Sequence, residues 1–275
     1  SPQTSTEALY LDDATLVTTT TTVLSYQPIS ALSDQDRSLA KNIPPEDYAL
    51  TTRQTVFYPQ GGGQPSDTGV ILVADNTSTD HPSTFEVHLV RKTADGSILH
   101  FGHFIPPATA LPLTIGQSVT QTIDAVKRNY HSRLHTAGHI IGLAMRLLAP
   151  QLGERKKVKA NHAPREACME FEGLLYNEHK PLIEGKVNEL VQRALPVTIA
   201  WWEESEIQKA ELNMVEGLQL GGDGRVRIAE IADLDANPCG GTHVAHTGLT
   251  GYITIRKISR QKGVTKLSYE VPVEI

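Results

Sequence analysis

The chain has 275 residues, with 25 basic and 31 acidic side chains and a formal net charge of −6. Its 39% apolar and 20% charged residues are typical of a globular protein, and no apolar run approaches the roughly 20 residues of a transmembrane helix. We therefore expect no membrane partner. The net charge argues against a protein that coats nucleic acid, and two cysteines favour a reducing, cytoplasmic location over a disulfide scaffold.

The charge is distributed unevenly along the chain. Residues 1–120 hold 5 basic and 12 acidic side chains, whereas residues 121–275 hold 20 and 19. Two basic clusters lie in the second part, and each could bind phosphate groups or form an ordinary solvated face. Their members are Arg155, Lys156, Lys157 and Lys159, and then Arg256, Lys257, Arg260, Lys262 and Lys266.

The first 115 or so residues predict β structure. Short runs rich in Thr, Val, Leu and Ile, at residues 14–24, 70–74 and 84–90, are separated by Pro, Gly, Asn and Asp. The polar stretch 27–45 predicts a loop or an insertion. Three prolines between residues 106 and 112 indicate a transition to a different structural unit.

Residues 123–148 predict one long helix, because their apolar positions recur every three or four residues. Asp124 favours its beginning and Pro150 its end. A strand over 167–171 and a helix over 180–194 follow. This order predicts an α+β protein with a β-rich domain at residues 1–118 and a second domain at 119–275. The expected apolar stripe of the long helix is Val126, Tyr130, Leu134, Ala137, Ile141, Ala144 and Leu148.

Two histidines of the long helix, His135 and His139, are four residues apart. This spacing puts both imidazoles on one helix face, close enough to bind one metal ion. Such a pair can also arise by chance among eleven histidines. His131 extends the series, but each four-residue step drifts about 40° around the axis, so we expect it in the core or behind the ligands.

A second motif, Cys239-Gly240-Gly241-Thr242-His243, holds a thiol and an imidazole on either side of a glycine turn. Cysteine and histidine together form a ligand set that suits zinc. Alone, the motif could equally be a buried free cysteine beside an unrelated turn. Together with His135 and His139 it completes a set of four ligands, which predicts one zinc ion per chain.

A third motif runs from Phe57 to Gly69 and contains Gly61, Gly62 and Gly63 in succession, followed by Gln64. Three glycines allow positive φ angles and a close approach of the backbone to a bound group. The spacing matches neither a phosphate-binding P-loop nor a dinucleotide-binding fingerprint. By itself it could be a tight loop.

The three motifs in this order resemble the editing domain of alanyl-tRNA synthetase and its free-standing AlaX relatives. The resemblance covers nearly the whole chain and is closest to the medium-length AlaX type. It implies a small β-barrel-like N-terminal domain followed by a two-layer α/β editing domain. The implied zinc ligands are His135, His139, Cys239 and His243.

The resemblance further implies a hydrolase that removes serine from mischarged tRNA(Ala), with glycine as an alternative amino acid. No stable protein partner is evident. Gly138 stands where many relatives carry a larger polar residue, usually Gln, so we expect the wall of the pocket to differ. Candidate substrate contacts are Gly61, Gly62, Gly63, Gln64, Thr136 and Lys262, with Gln64 and Thr242 in catalytic roles.

Four protein ligands would fill a tetrahedral zinc, so His243 could bind weakly or hold a water instead. We expect Gln64→Ala or Thr242→Val to alter selectivity between serine and alanine more than zinc content, because a buried polar group rejects a substrate that leaves it unpaired. Two alternatives remain open. One is a metallohydrolase that acts on a small ester or amide, and the other is a zinc-stabilised tRNA-binding module without turnover.

Overall fold

The computed structural model describes residues 5–73, 84–105, 113–210, 221 and 223–274. The chain forms two compact units. The first contains Ser1–Gly61 and Pro65–Arg128, and the second contains Gly62–Gln64 and Asn129–Ile275. The predicted boundary at residues 118 and 119 lies ten residues before this division. The transition predicted at the prolines 106, 107 and 112 lies outside the described residues. So does residue 74, the end of the strand predicted at 70–74.

The first unit is built around a closed six-stranded barrel, with the strand order β2-β3-β7-β6-β5-β8. Its interior holds alternate apolar side chains such as Leu50, Ile71, Phe85 and Val119, all buried. The predicted barrel and the α+β class are therefore confirmed. The strands of this unit are β1 (Glu7–Ala8), β2 (Thr18–Pro28), β3 (Tyr48–Thr52), β4 (Gln54–Thr55), β5 (Gly69–Val73), β6 (Thr84–Lys92), β7 (Ile98–Ile105) and β8 (Ser118–Ile123).

The stretch 27–45 is more ordered than a plain loop. Its first residues complete β2, and a 3-10 turn at Ile29–Ala31 and a one-turn helix α1 (Asp34–Arg37) follow. Ile29 and Leu32 are buried against Phe101 in a small apolar cluster. These two side chains, with Leu39 and Ile43 packed beside them, thus anchor this segment to the barrel strands.

The base of the glycine-rich loop is closed within the first unit. Asp67 accepts a hydrogen bond from the Tyr58 amide at 2.7 Å, and the Asp67 amide donates to the Tyr58 carbonyl at 3.0 Å. The Arg128 guanidinium pairs with the Asp67 carboxylate, and both side chains are buried. A buried ion pair needs further hydrogen bonds to offset the cost of its desolvation. Arg128 supplies one by donating to the Val56 carbonyl at 2.5 Å, which stabilises the ion pair.

The predicted long helix is α2 (Ala125–Leu147). The Asp124 carboxylate accepts the Lys127 amide at 3.0 Å and so caps its N-terminus. Val126, the first residue of the predicted apolar stripe, is 78% exposed, so the stripe begins at Tyr130 instead. As predicted, α2 ends just before Pro150: it breaks at Leu148, and the proline lies in the first turn of a one-turn helix α3 (Ala149–Leu152), where its missing N–H is tolerated.

The second unit packs α2 and α4 (Lys180–Gln192) against a four-stranded sheet with the order β14-β15-β10-β9. Leu134, Ile183 and Leu267 contribute to their shared core. A separate three-stranded sheet has the order β11-β12-β13. The remaining elements are β9 (Lys157–Asn161), β10 (Cys168–Glu172), β11 (Val197–Trp202), α5 (Glu204–Lys209), β12 (Val226–Ile231), β13 (Asp235–Pro238), β14 (Thr254–Gln261) and β15 (Val264–Glu270).

Candidate metal centre

Four predicted ligands come together in the second unit. His135 and His139 lie on α2, whereas Cys239 and His243 follow β13. One potential ligand atom of each lies within 4.8 Å of those of the other three. We refer to these four residues as the His–Cys cluster.

The spacing of these atoms fits one tetrahedral zinc. The Cys239 Sγ atom is 3.4 Å from His135 Nε2 and 3.3 Å from His243 Nε2. Ligands bound to zinc at 2.0–2.3 Å would be separated by about 3.3–3.8 Å in a tetrahedron. Three imidazoles and one thiol are also ligands that zinc prefers. The residues present therefore fit the predicted metal.

The glycine turn after β13 brings Cys239 close to α2. A β-carbon on Gly241 would overlap the His135 ring, so glycine is needed for this approach. The Gly241 amide faces the Cys239 Sγ atom at 3.4 Å. The buried Arg227 guanidinium donates to the carbonyls of Cys239 at 2.7 Å and Gly241 at 3.0 Å, which fixes the turn to β12.

Gln64 holds the His135 imidazole from the side opposite Cys239. The Gln64 Oε1 atom accepts the Thr242 amide at 3.1 Å and lies 2.8 Å from His135 Nδ1. Since an amide N–H can only donate, this orientation of the Gln64 side chain is fixed, and His135 Nδ1 is the donor. The neutral ring then presents its Nε2 lone pair towards Cys239.

Thr136 plays the corresponding role for His243. Its Oγ1 atom lies 3.2 Å from His243 Nδ1 and accepts the Val244 amide at 3.2 Å. With its Nδ1 hydrogen directed at this oxygen, the neutral His243 ring would present its Nε2 lone pair towards Cys239. Thr136 and Gln64, both predicted to contact substrate, are buried and orient potential metal ligands in this structure.

Thr242 extends this network. Its Oγ1 atom accepts from Gln64 Nε2 at 2.8 Å and lies 2.7 Å from the Ser132 Oγ atom. Thr242 is completely buried and Ser132 nearly so. Gln64 and Thr242, the two predicted catalytic residues, are therefore hydrogen-bonded to each other beside His135. Their role towards substrate stays a prediction.

Burial sets the protonation of the His–Cys cluster. It lowers the pKa of His243 to about 3 and the pKa values of His135 and His139 well below the usual value. It raises the pKa of the Cys239 thiol, although nearby Arg227 acts in the opposite direction. Three neutral imidazoles are ready to bind a cation, whereas the thiol must first lose its proton.

His162 belongs to this site but carries no motif in the sequence. Its ring stacks on the His135 ring with the centroids 4.2 Å apart, and it occupies the space that a β-carbon on Gly138 would need. Tyr269 donates to the Leu134 carbonyl at 2.9 Å, so the His162 Nδ1 atom, 2.7 Å away, donates to the Tyr269 oxygen. In the sequence, Gly138 between His135 and His139 is the one sign that a bulky side chain packs closely against this part of α2.

The other predicted substrate contacts are spread over the chain. Gly62 and Gly63 are exposed and have positive φ angles of 55° and 82°. The Gly63 carbonyl accepts the His162 amide at 2.8 Å, whereas Gly61 accepts a hydrogen bond from Tyr58 in the first unit. Lys262 lies at the exposed turn between β14 and β15 and is not a member of the His–Cys cluster.

Two family models match the chain. The model of class II (A) tRNA synthetases matches residues 3–127, and that of the threonyl and alanyl tRNA synthetase second additional domain matches residues 226–267. The second match includes the Cys239 turn, all of β14 and the beginning of β15.

Several alanine–tRNA ligases are similar to most of the chain. The enzyme of Methanosphaera stadtmanae is 30% identical over 81% of this chain, that of Korarchaeum cryptofilum 31% over 90%, and that of Natronomonas pharaonis 33% over 81%. These alignments cover 24%, 27% and 22% of the respective relatives, so the chain spans about a quarter of their length.

The barrel, the His–Cys cluster and these matches define a tRNA synthetase-related domain. The chain belongs to the AlaX-like domains derived from alanyl-tRNA synthetase. Whether it is free-standing and of the medium-length type stays a prediction. Among the described residues, no helix is both long and apolar enough to cross a bilayer.

Proposed function

We propose that this chain is a zinc-dependent aminoacyl-tRNA deacylase that hydrolyses the ester of Ser-tRNA(Ala), with Gly-tRNA(Ala) as a second substrate. The single observation that carries the proposal is the His–Cys cluster, in which four ligand atoms lie within 4.8 Å of one another. The similarity to alanine–tRNA ligases supports tRNA(Ala) as the carrier of the ester.

A zinc ion at this site would supply Lewis-acid chemistry, by polarising an ester carbonyl or lowering the pKa of a water to about 7. The protein's contribution is to position the ligands. Gln64 orients His135 and Thr136 orients His243, so both Nε2 atoms are aligned before an ion arrives. Such fixed partners typically contribute 10–100-fold to metal affinity or activity.

The polar groups beside His135 support selectivity for an amino acid with a hydroxyl group. The hydroxyl oxygens of Ser132 and Thr242 lie 2.7 Å apart, next to the Gln64 amide. A serine hydroxyl can exchange hydrogen bonds with this network, whereas alanine has no group to replace a hydrogen bond that the network gives up. In this proposal the network discriminates Ser-tRNA(Ala) from correctly charged Ala-tRNA(Ala).

One sheet carries members of both basic clusters, which supports it as the surface for tRNA phosphates. Lys159 on β9 and Lys266 on β15 are both register partners of Glu170 on β10, and both lysines are exposed. Arg256, Lys257 and Arg260 on β14 continue the basic character at the other edge. Removing one basic side chain that binds a phosphate should weaken binding for every tRNA and reduce the salt dependence by about one counterion.

The test is a deacylation assay with Ser-, Gly- and Ala-tRNA(Ala), performed on zinc-loaded protein, on protein stripped by a chelator, and on stripped protein after zinc is restored. We expect rapid release of serine, slower release from Ala-tRNA(Ala), and loss of activity on stripping that zinc reverses. A rate for Ser-tRNA(Ala) that is equal with and without zinc would contradict the proposed mechanism.

The same assay separates the alternatives. Hydrolysis of free seryl esters without hydrolysis of charged tRNA would identify a small-substrate hydrolase. Binding of tRNA and zinc without any release of amino acid would identify a binding module. Lys262→Glu tests the nucleic-acid surface, because unchanged tRNA affinity and salt dependence would make that basic cluster a solvated face. The cytoplasmic location and the absence of a stable protein partner stay predictions.

A further inference from the structure

A second group of metal-ligand side chains lies in the first unit. Asp47 directly precedes β3, His88 lies on β6, and His103 lies on β7. The Nδ1 atom of His88 is 3.1 Å from Asp47 Oδ2, and that of His103 is 3.0 Å from Asp47 Oδ1. The two imidazole rings meet edge to face, with their centroids 4.7 Å apart. We refer to these three residues as the Asp–His cluster.

The local fold directs these side chains towards one point. The pairing of β6 with β7 shifts its register between Val87 and Leu89, so the bulge contains His88. Bulges re-aim side chains and are frequent beside functional sites. The Asp47 amide donates to the Pro44 carbonyl at 3.1 Å, which fixes the carboxylate at the end of the segment that covers this side of the barrel.

The charge of Asp47 lacks a permanent counterion. Its side chain is fully buried, and within the described part of the chain its charged partners are the two imidazoles, with no lysine or arginine. Burying a carboxylate is costly unless it is paired with a cation or coordinates a metal. The two imidazoles are 27% and 41% exposed, so an ion could enter from solvent.

The distances agree with three ligands on one ion. Neighbouring ligands at about 2.1 Å from a metal are separated by about 3.0 Å in octahedral and 3.4 Å in tetrahedral geometry. The two nitrogens face different oxygens of Asp47, at 3.1 Å and 3.0 Å, and one ligand atom from each of the three residues lies within 4.8 Å of the others. The other nitrogen of His88, Nε2, lies 3.7 Å from Glu86 Oε2. A carboxylate that accepts from the second nitrogen is the usual support of a metal-binding histidine, and Glu86 would have to move several tenths of an ångström closer to provide it.

We propose that the Asp–His cluster binds a second divalent transition-metal ion, independent of the His–Cys cluster. Two imidazoles and one carboxylate favour Zn²⁺, Co²⁺ or Ni²⁺ over Mg²⁺ and Ca²⁺, which take oxygen ligands. The ion fastens the beginning of β3 to β6 and β7, and three protein ligands leave further positions open to water. The chain then holds two ions instead of the one predicted from its motifs.

The test is a Co²⁺ titration of the full, metal-free chain, read in two ways. Total bound Co²⁺ is measured by equilibrium dialysis and elemental analysis. The thiolate-to-cobalt absorption reports the His–Cys cluster alone, because the Asp–His cluster contains no sulfur. For the unmodified chain we expect two ions per chain, with the thiolate absorption saturated by one of them. One ion per chain in total would overturn the proposal.

The variants His88→Gln and His103→Gln change partly exposed residues and should each remove one ion, or weaken its binding at least tenfold, while the thiolate absorption stays unchanged. His179→Gln is the matched control, since His179 also lies beside a carboxylate, Glu178, at 3.8 Å but belongs to no three-ligand group within the described part of the chain. Should the first two variants lose their circular dichroism, the double variant Cys239→Ala, His139→Gln gives the answer instead, because Cys239→Ala alone leaves three imidazoles that can still bind Co²⁺. It must still bind one Co²⁺ without thiolate absorption, and binding of none would refute the second site.

Discussion

The two clusters use similar donors but differ in how their imidazoles are held. In the His–Cys cluster, Gln64 and Thr136 occupy the Nδ1 atoms of His135 and His243, so the ligand nitrogens are already directed at Cys239. In the Asp–His cluster, the Nδ1 atoms face Asp47 itself, and the nearest support is Glu86 at 3.7 Å from His88. The first cluster is aligned by neighbours, whereas the second is partly open to solvent.

This difference indicates that similar ligand atoms need not bind metal with similar strength. Partners that fix a ligand's orientation reduce the ordering cost of binding. We therefore expect the His–Cys cluster to retain its ion at a lower free metal concentration than the Asp–His cluster. Four changes, taken from the largest expected effect to the smallest, test what holds the first cluster together.

Removing the thiol should have the largest effect. Cys239→Ala deletes one of the four ligands and should reduce zinc affinity at the His–Cys cluster by more than about 100-fold, beyond the typical effect of losing a supporting residue. A competition assay with a coloured chelator measures this. Cys168→Ala is the matched control, because Cys168 is the other free cysteine and lies on β10 outside the cluster. Equal affinities of the two variants would exclude Cys239 as a ligand.

Acid should weaken zinc binding through one group. Burial lowers the pKa of His243 to about 3 and those of His135 and His139 well below normal, so all three are neutral between pH 6 and 8. Burial raises the pKa of the Cys239 thiol, which must therefore lose a proton when metal binds. Affinity should fall about tenfold per pH unit, or roughly 100-fold from pH 8 to 6.

The chelator competition, repeated across this pH range, gives the slope, and Cys239→Ala should flatten it. A slope of two or more protons would show that the imidazoles are charged in the free protein. A flat profile for the unmodified chain would show that the thiolate is already formed, contrary to the effect of burial on its pKa.

Gln64→Ala should weaken zinc binding by about 30-fold, within the range for a residue that orients a ligand. This reverses the expectation from sequence that selectivity would change more than zinc content, because Gln64 Oε1 lies 2.8 Å from His135 Nδ1. Gln60→Ala, at an exposed position of the same loop, is the control. Intact zinc affinity with altered preference between Ser-tRNA(Ala) and Ala-tRNA(Ala) would instead make Gln64 a substrate contact.

Thr136→Val should have the smallest effect, about a tenfold loss of zinc affinity, because His243 keeps its place in the turn but loses the acceptor for Nδ1. Thr136→Ser retains the hydroxyl and should restore most of the affinity. Thr136→Val also removes the hydrogen bond from the Val244 amide, so thermal unfolding of the metal-free variants is measured to show whether the fold itself is destabilised. If the Thr136→Val and Thr136→Ser variants bind zinc equally well, the hydroxyl group at position 136 does not orient His243.

The residues of the His–Cys cluster could be predicted from sequence because each half is local. A four-residue helical spacing places His135 beside His139, and a glycine turn brings Cys239 near His243. The β structure of the first unit was predictable because short runs rich in Thr, Val, Leu and Ile alternate with turn residues, whereas the closed barrel was expected only from the family resemblance. The exposure of Val126 was not, since a helical repeat does not show where along α2 the core begins.

The supporting contacts could not be predicted, because they join residues far apart in the sequence. Gln64 and His135 are separated by 71 positions, and His162 and Tyr269 by 107. The Asp–His cluster combines Asp47 with two strand residues that form no motif. Contacts of this kind depend on register and on a bulge, neither of which the hydrophobic pattern specifies.

The central claim is that the His–Cys cluster holds the ion on which hydrolysis depends. It is tested most directly by adding Co²⁺ to the metal-free chain while both thiolate-to-cobalt absorption and serine release from Ser-tRNA(Ala) are followed. We predict that the two rise together, saturate at the same added Co²⁺, and are both lost in Cys239→Ala. Serine release that is complete before the thiolate absorption appears, or that persists at an unchanged rate in Cys239→Ala, would contradict the claim.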